Sequence, residues 1–264
     1  MKKFRLLFKY LRYYFAAQTK HDIHSPFVFD LLTNVISAKS NFYAYGQIEE
    51  IRKSLLSSKA KIIVQDFGAG SIVNKPSEAN LKAVKDIAKA SAKSPKYGQL
   101  LFRLVHYFKP KTLLELGTSF GISTLYQALP DKSAKLITME GCENVAKLAQ
   151  ENFKKAGTTN IELITGNFDE TLASALTSIK SLDYVFFDGN HKKEPTLRYF
   201  EKCLPLAHND SLFIFDDIHW SDEMEGAWEA IKNNPQVTIT IDLFFLGLVF
   251  FRKEQHKQHF IIRF

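Results

Sequence analysis

Residues 113–124, Leu-Leu-Glu-Leu-Gly-Thr-Ser-Phe-Gly-Ile-Ser-Thr, constrain this 264-residue chain more than any other stretch. An apolar run suited to a buried strand carries an acid near its end, Glu115. A turn bounded by Gly117 and Gly121 follows, and Ser123 and Thr124 open a helix. Strand, glycine turn and helix in that order form the opening unit of an open α/β sheet, in which ligands bind outside the carboxyl ends of the strands. The glycines mark positions where a Cβ would obstruct a tight turn or a close-lying ligand. The helix N-terminus presents unpaired N–H groups and partial positive charge. The spacing is not the dinucleotide fingerprint G-x-G-x-x-G, because Ser119 stands where that pattern has the glycine that lets a pyrophosphate approach. An acid two residues before the first glycine suits a ligand with a cationic amino-acid end and no phosphate.

From residue 95 onward the pattern is regular. It predicts a helix over 97–108, a strand over 112–116 and a helix over 123–129. Strand 135–140, helix 144–156 closed by Gly157, and strand 161–165 follow. Strand 183–188 leads to helix 194–204, and strand 212–216 to helix 222–232. Strands 237–244 and 248–252, joined by a short turn at Gly247, read as an antiparallel hairpin. Alternating strands and helices imply a doubly wound, mostly parallel sheet with helices on both faces.

Residues 1–94 read as a mainly helical extension. Phe4, Leu7, Phe8, Leu11 and Phe15 recur at helical spacing with cations between them. Such a helix either lies on a membrane surface or docks its apolar face on its own domain or a second subunit. The second is the expectation, with a homodimer through this helix as one form of it. Ser25 is placed to cap a helix with Pro26 at its first position, running through Leu32, and His21 and His24 in the preceding loop suit either local hydrogen bonds, the expectation, or contacts to a ligand or substrate. Residues 61–71 imitate the glycine unit with Asp66, Gly68 and Gly70, but Pro76 and a helical pattern over 81–92 follow in place of a second strand, so the segment reads as an extension loop.

The motif E-L-G-T-x-x-G-x-S-T at 115–124 resembles the class I S-adenosylmethionine-dependent methyltransferases, in particular the catechol O-methyltransferase type and the related macrolide-sugar and aminocoumarin O-methyltransferases. The resemblance covers about residues 95–252 and implies a seven-stranded Rossmann-like sheet with a terminal antiparallel hairpin, as a methyltransferase domain over 95–264. It implies that Glu115, Gly117, Thr118, Ser119, Gly121 and Ser123 form the cofactor loop. Glu140, ending the second strand about two dozen residues on, would hold the ribose hydroxyls, as acids there do in other open α/β sheets. Met139 would lie near the adenine, and Asn167 or its backbone would meet it, although many relatives carry Asp there.

A second feature is the pair of acidic strand ends, Val-Phe-Phe-Asp188 and Phe-Ile-Phe-Asp216-Asp217. Three carboxylates at one edge of a parallel sheet repel one another unless something compensates. A hard divalent cation does so, and Mg²⁺ typically uses one or two carboxylates plus waters and substrate oxygens. The resemblance makes Asp188, Asp216 and Asp217 the metal ligands, with Asp188 also beside the cofactor. Where catechol enzymes carry a base Lys, three residues after the first metal Asp, this chain has His191, whose type titrates near 6.5. The macrolide type places an Asp two residues after it, and here that position is Asn190. His191 is therefore the expected base, with Lys192 and His219 in reserve, and Trp220 is a candidate wall of the acceptor pocket.

Together these imply O-methylation of a small hydroxylated acceptor, with S-adenosylmethionine and Mg²⁺. The formal net charge of +7 permits affinity for anions or nucleic acid, and methylation of nucleic acid or protein is one alternative. The chain has no recognisable nucleic-acid module and no Asn-Pro-Pro-Tyr motif. A non-catalytic scaffold of the same fold is another alternative. No apolar run reaches the length of a membrane span, and Lys9 and Arg12 make the N-terminus a poor signal peptide. Two cysteines, Cys142 and Cys203, form no C-x-x-C, so a reduced cytoplasmic protein is expected.

Overall fold

The computed structural model describes residues 2–65 and 80–264; Asp66, Gly68, Gly70, Ser71 and Pro76 of the imitation loop lie outside the described residues. In chain order the elements are α1 (Lys2–Ala16), α2 (Pro26–Leu31), α3 (Tyr43–Ser57), β1 (Lys61–Ile63), β2 (Leu81–Ala83), α4 (Val84–Ser91), α5 (Pro95–Phe108), β3 (Thr112–Leu116) and α6 (Ile122–Ala128). They continue with β4 (Lys135–Glu140), α7 (Glu143–Lys155), β5 (Ile161–Thr165), α8 (Phe168–Thr177), β6 (Leu182–Phe187) and α9 (Lys193–Cys203). β7 (Ala207–Asp216), α10 (Asp222–Asn233), β8 (Ile239–Asp242), β9 (Leu246–Phe250) and β10 (Gln258–Ile261) complete the chain.

The chain divides into two compact units, one of Met1–Ala38 with Ile179–Phe264 and one of Lys39–Ser178. Residues 1–94 are thus shared, with α1 and α2 in the first unit and α3, α4 and the β1–β2 pair in the second. In the second unit β3, β4 and β5 pair in parallel, so their carboxyl ends share one edge. In the first unit β6 and β7 pair in parallel, β9 runs antiparallel to β7 and β8, and β10 runs parallel to β8. The α/β fold with mostly parallel strands and a late antiparallel hairpin agrees with the sequence reading, and β10 is an eighth strand beyond the expected seven.

Apolar runs explain the parallel strands, because strands covered on both faces need no alternation. Tyr184 to Phe187 and Leu212 to Phe215 are buried without a break. The Phe187 and Phe215 rings stack at 4.4 Å between centroids, and Phe200 on α9 meets Phe213 and Phe215 edge-on. In the second unit α3, α5, α6 and α7 share a core containing Tyr45, Ile48, Phe102, Leu125, Tyr126 and Phe153.

Several local expectations change. Leu81–Ala83 is a strand antiparallel to Lys61–Ile63, and the helix begins only at Val84. The helix after Pro26, capped by Ser25 as expected, widens after Leu31 into a π-type turn in which the Ser37 N–H reaches the Leu32 carbonyl at 2.9 Å. Gly247 is not the hairpin turn. The chain reverses at Leu243–Phe245, where Phe244 adopts φ 70° and its N–H donates to Asp242 Oδ1 at 2.8 Å. Gly247 lies inside β9, at a position where a Cβ would stand 2.6 Å from the buried Trp228 ring and 3.1 Å from Ile218. Gly247→Ala must displace packed side chains, so it should lower the unfolding free energy by about 1–3 kcal/mol in urea denaturation.

Candidate active site

In the second unit the glycine loop is held from three sides. The N–H groups of Gly117 and Thr118 both donate to the Met139 carbonyl at 3.0 Å, and the Gly121 N–H returns to Thr118 O at 2.8 Å. Asn152 Nδ2 on α7 donates to the Phe120 carbonyl at 3.0 Å. Gly121 has φ 80°, and a Cβ there would meet Phe153 at 2.3 Å. Ser119 adopts φ 47°, an uncommon conformation for a residue with a Cβ.

Glu115 is fully buried inside this frame. Thr124 and Thr138 donate their hydroxyls to Oε2, and Gln127 Nε2 donates to Oε1 at 2.7 Å. Because the Thr138 proton goes to Glu115, the 2.6 Å contact between the Thr118 and Thr138 hydroxyls has Thr118 as donor. Burial raises the Glu115 pKa against the pull of these donors. The carboxylate therefore ties β3, β4 and α6 together beneath the loop.

Glu140 stands at the end of β4, where its carboxylate accepts the Ser119 N–H at 2.8 Å and the Cys142 N–H at 2.9 Å. It is thus aimed by two main-chain groups at the same strand edge as the glycine loop. Met139 is buried. Asn167 caps α8, its side chain accepting the Asp169 N–H at 3.1 Å, just after Gly166 at φ 143°. Ser119 also meets Ser91 through its hydroxyl at 2.7 Å.

In the first unit, the register pairs Phe187 with Phe215 and so sets the next residues, Asp188 and Asp216, side by side at one edge. Asp188, Asp216 and His191 each bring a ligand atom within 4.8 Å of the others. His191 Nε2 lies 3.8 Å from Asp188 Oδ1. The two carboxylates, Asp188 half-buried and Asp216 buried, fit a hard divalent cation's preference for oxygen, and the half-buried His191 imidazole stands beside them.

Asp217 falls outside this trio. It adopts φ 54°, its N–H donates to Phe245 O at 2.6 Å, and its carbonyl accepts the Trp220 N–H at 2.9 Å. Asn190 has φ 53°, so the loops after β6 and β7 both contain a left-handed non-glycine residue. Lys192 is half-buried at the start of α9, and Trp220 is exposed rather than core.

His219 is not placed to act as a base. Its Nδ1 meets Glu225 at 2.9 Å, its Nε2 meets Asp242 at 2.7 Å, and its ring stacks on Phe244 at 5.2 Å. Burial alone would lower its pKa, but hydrogen bonds and charge from Asp242 and Glu225 more than offset this and raise it.

The fixed partners Thr138, Gln127 and Asn152 were missed by the sequence reading. Asn152 had a usable signal, being a polar residue on the buried stripe Val145, Ala149, Asn152 of α7.

Comparison with known proteins gives a consistent picture. Residues 114–218 match the family described as "Methyltransferase domain". A catechol O-methyltransferase from Niastella koreensis is 32% identical over 149 residues, which cover 53% of this chain and 66% of that protein. The first three curated relatives are matched over only 66%, 65% and 50% of their own lengths. Among solved structures, the SAH-bound methyltransferase of Podospora anserina aligns with TM-score 0.61 at 16% identity, over 88% of this chain and 98% of the other. The SAH complex of a Bacillus cereus O-methyltransferase aligns with TM-score 0.56 at 18% identity, over 83% and 94%.

The His219 shift fixes a pH dependence. A raised folded-state pKa contributes stability that is fully present below the unfolded value near 6.5 and is lost as pH rises through the folded value. Urea unfolding between pH 6 and pH 9 should therefore include a decline in stability that flattens in Asp242→Asn, which keeps the side-chain shape and removes the main charge holding the proton.

Proposed function

We propose, from the premise that the chain belongs to the class I S-adenosylmethionine-dependent methyltransferase family, that it is an O-methyltransferase acting with a divalent metal ion on a small hydroxylated molecule. The observation that carries this reading is the convergence of Asp188, Asp216 and His191 at adjacent strand ends. A simple cofactor-binding fold has no need of two neighbouring carboxylates at that edge. The similarity to a catechol O-methyltransferase favours a phenol, catechol or sugar-like hydroxyl as acceptor.

In this reading the second unit holds S-adenosylmethionine. Glu140 accepts hydrogen bonds from the ribose hydroxyls, since a carboxylate has acceptor capacity beyond the two amides it already engages. Gly117, Thr118, Ser119, Gly121 and Ser123 line the amino-acid end, with Glu115 fixing their frame from below. Met139 and Asn167 border the adenine.

Asp188 and Asp216 would hold the cation, and Asp217, the next residue, is the third ligand that the sequence implies. The cation, bound there, supplies Lewis acidity that lowers the pKa of an acceptor hydroxyl. His191 takes the hydroxyl proton, its type being suited to a base near neutrality. S-adenosylmethionine, when bound, would supply an electrophilic methyl group on a sulfonium, whose sulfur keeps the electron pair of the broken carbon–sulfur bond so that S-adenosylhomocysteine is the product. The protein's contribution is orientation and proton removal.

Release of S-adenosylhomocysteine, measured against catechol, phenol and sugar-like acceptors, tests this reading. Asp216→Asn or chelation by EDTA should lower turnover roughly a hundredfold or more, while S-adenosylhomocysteine still binds. Full activity in Asp216→Asn would remove the metal from the account. Cofactor binding without turnover of any acceptor class by the wild type would favour a non-catalytic scaffold.

A further inference from the structure

We propose that α1 is a membrane-surface anchor whose exposed apolar face lies on anionic phospholipid. The helix has two faces with opposite uses. One is docked on its own unit. Tyr13 is only 5% exposed, and its hydroxyl donates to the Ile262 carbonyl. The rings of Tyr10 and Tyr13 pack on Phe244 at 5.0 and 5.3 Å. Lys9 reaches Glu225 at 2.9 Å and Asp222 at 3.2 Å, and Arg5 also pairs with Asp222.

The opposite face is left in water. Phe4 is 78% exposed, Phe8 66% and Phe15 82%, with Leu7 and Leu11 exposed between them. At 3.6 residues per turn these five fall on one stripe, with Tyr13 diametrically opposite and Lys9 and Tyr10 on either side of Tyr13. The sequence expectation that the apolar face docks on its own domain is therefore reversed: the polar and aromatic face docks, and the apolar face stays open. A contiguous apolar patch of this kind marks an interaction surface.

Charge selects the occupant. The helix sequence KKFRLLFKYLRYYFA contains no acid, and the first acid in the chain is Asp22. On the helical wheel Arg5 and Arg12 border the apolar stripe on one side. Tyr14 borders it on the other, with the Arg263 guanidinium 4.0 Å over its ring. Arg5 and Lys9 already pair with acids of α10, but two copies packed through this face would bring together helices that carry Arg12 at its border and no acid of their own. Anionic headgroups meet the same cations favourably while the stripe enters the acyl boundary. No described helix is long and apolar enough to cross a membrane, so α1 would lie along the surface.

Flotation of the full chain tests this independently of catalysis. With vesicles of phosphatidylcholine and phosphatidylglycerol in equal parts, the protein should float and be released by high salt. With phosphatidylcholine alone it should remain largely unbound. Phe8→Glu with Phe15→Glu should reduce binding at least tenfold, and Arg12→Glu roughly fivefold, each with an unchanged unfolding midpoint. If the double variant unfolds more easily, the single exposed Arg12→Glu decides. Failure of the wild type to bind the mixed vesicles would overturn the proposal. So would equal binding to both vesicle types, or a concentration-dependent dimer in sedimentation that the double variant abolishes.

Discussion

The parallel register of β6 and β7 is the constraint on which the candidate chemistry depends. Pairing Phe187 with Phe215 leaves the next residue of each strand, Asp188 and Asp216, side by side where the strands end. Neither acid chooses its place; the apolar strands behind them do, through ring stacking and unbroken burial. Two carboxylates delivered in this way repel each other and are costly to desolvate, which makes a cation the natural counterpart. The same logic operates in the second unit. There β3 and β4 run in parallel, and the Met139 carbonyl gathers the Gly117 and Thr118 amides so that the glycine loop and Glu140 share an edge.

The frame under the glycine loop is built from polar groups that water does not reach. Glu115, Thr118, Thr138, Thr124 and Gln127 form a connected set within a buried volume. Buried polar networks are specific when every member is satisfied and costly when one is not. Substitution of Thr138 or Gln127 therefore acts on the loop through Glu115 although neither residue belongs to the motif.

Elements set by local pattern were legible in the sequence: the glycine loop, the parallel strands with their acidic ends, the Ser25–Pro26 cap and the late hairpin. What escaped depends on partners distant in sequence. β10 is short and half-exposed and exists through its pairing with β8. Gly247 reads as a turn residue until Trp228 is seen against it. Asp217 belongs to the acidic motif and is not among the three groups whose ligand atoms cluster, Asp188, Asp216 and His191. His219 read as a reserve base, but Glu225 and Asp242 occupy both ring nitrogens. On α1, amphipathicity identified the two faces, but within the chain it is the face of Lys9 and Tyr13 that docks, through Glu225, Asp222 and the Ile262 carbonyl.

The central claim is that the strand-end residues of the second unit form an S-adenosylmethionine site organised by Glu140. Calorimetric titration of S-adenosylhomocysteine into the wild type and Glu140→Ala tests it most directly. The account predicts micromolar binding to the wild type and a loss of at least about tenfold in the variant, equivalent to about 1.4 kcal/mol. A folded wild type that does not bind, or a variant that binds equally well, would contradict it.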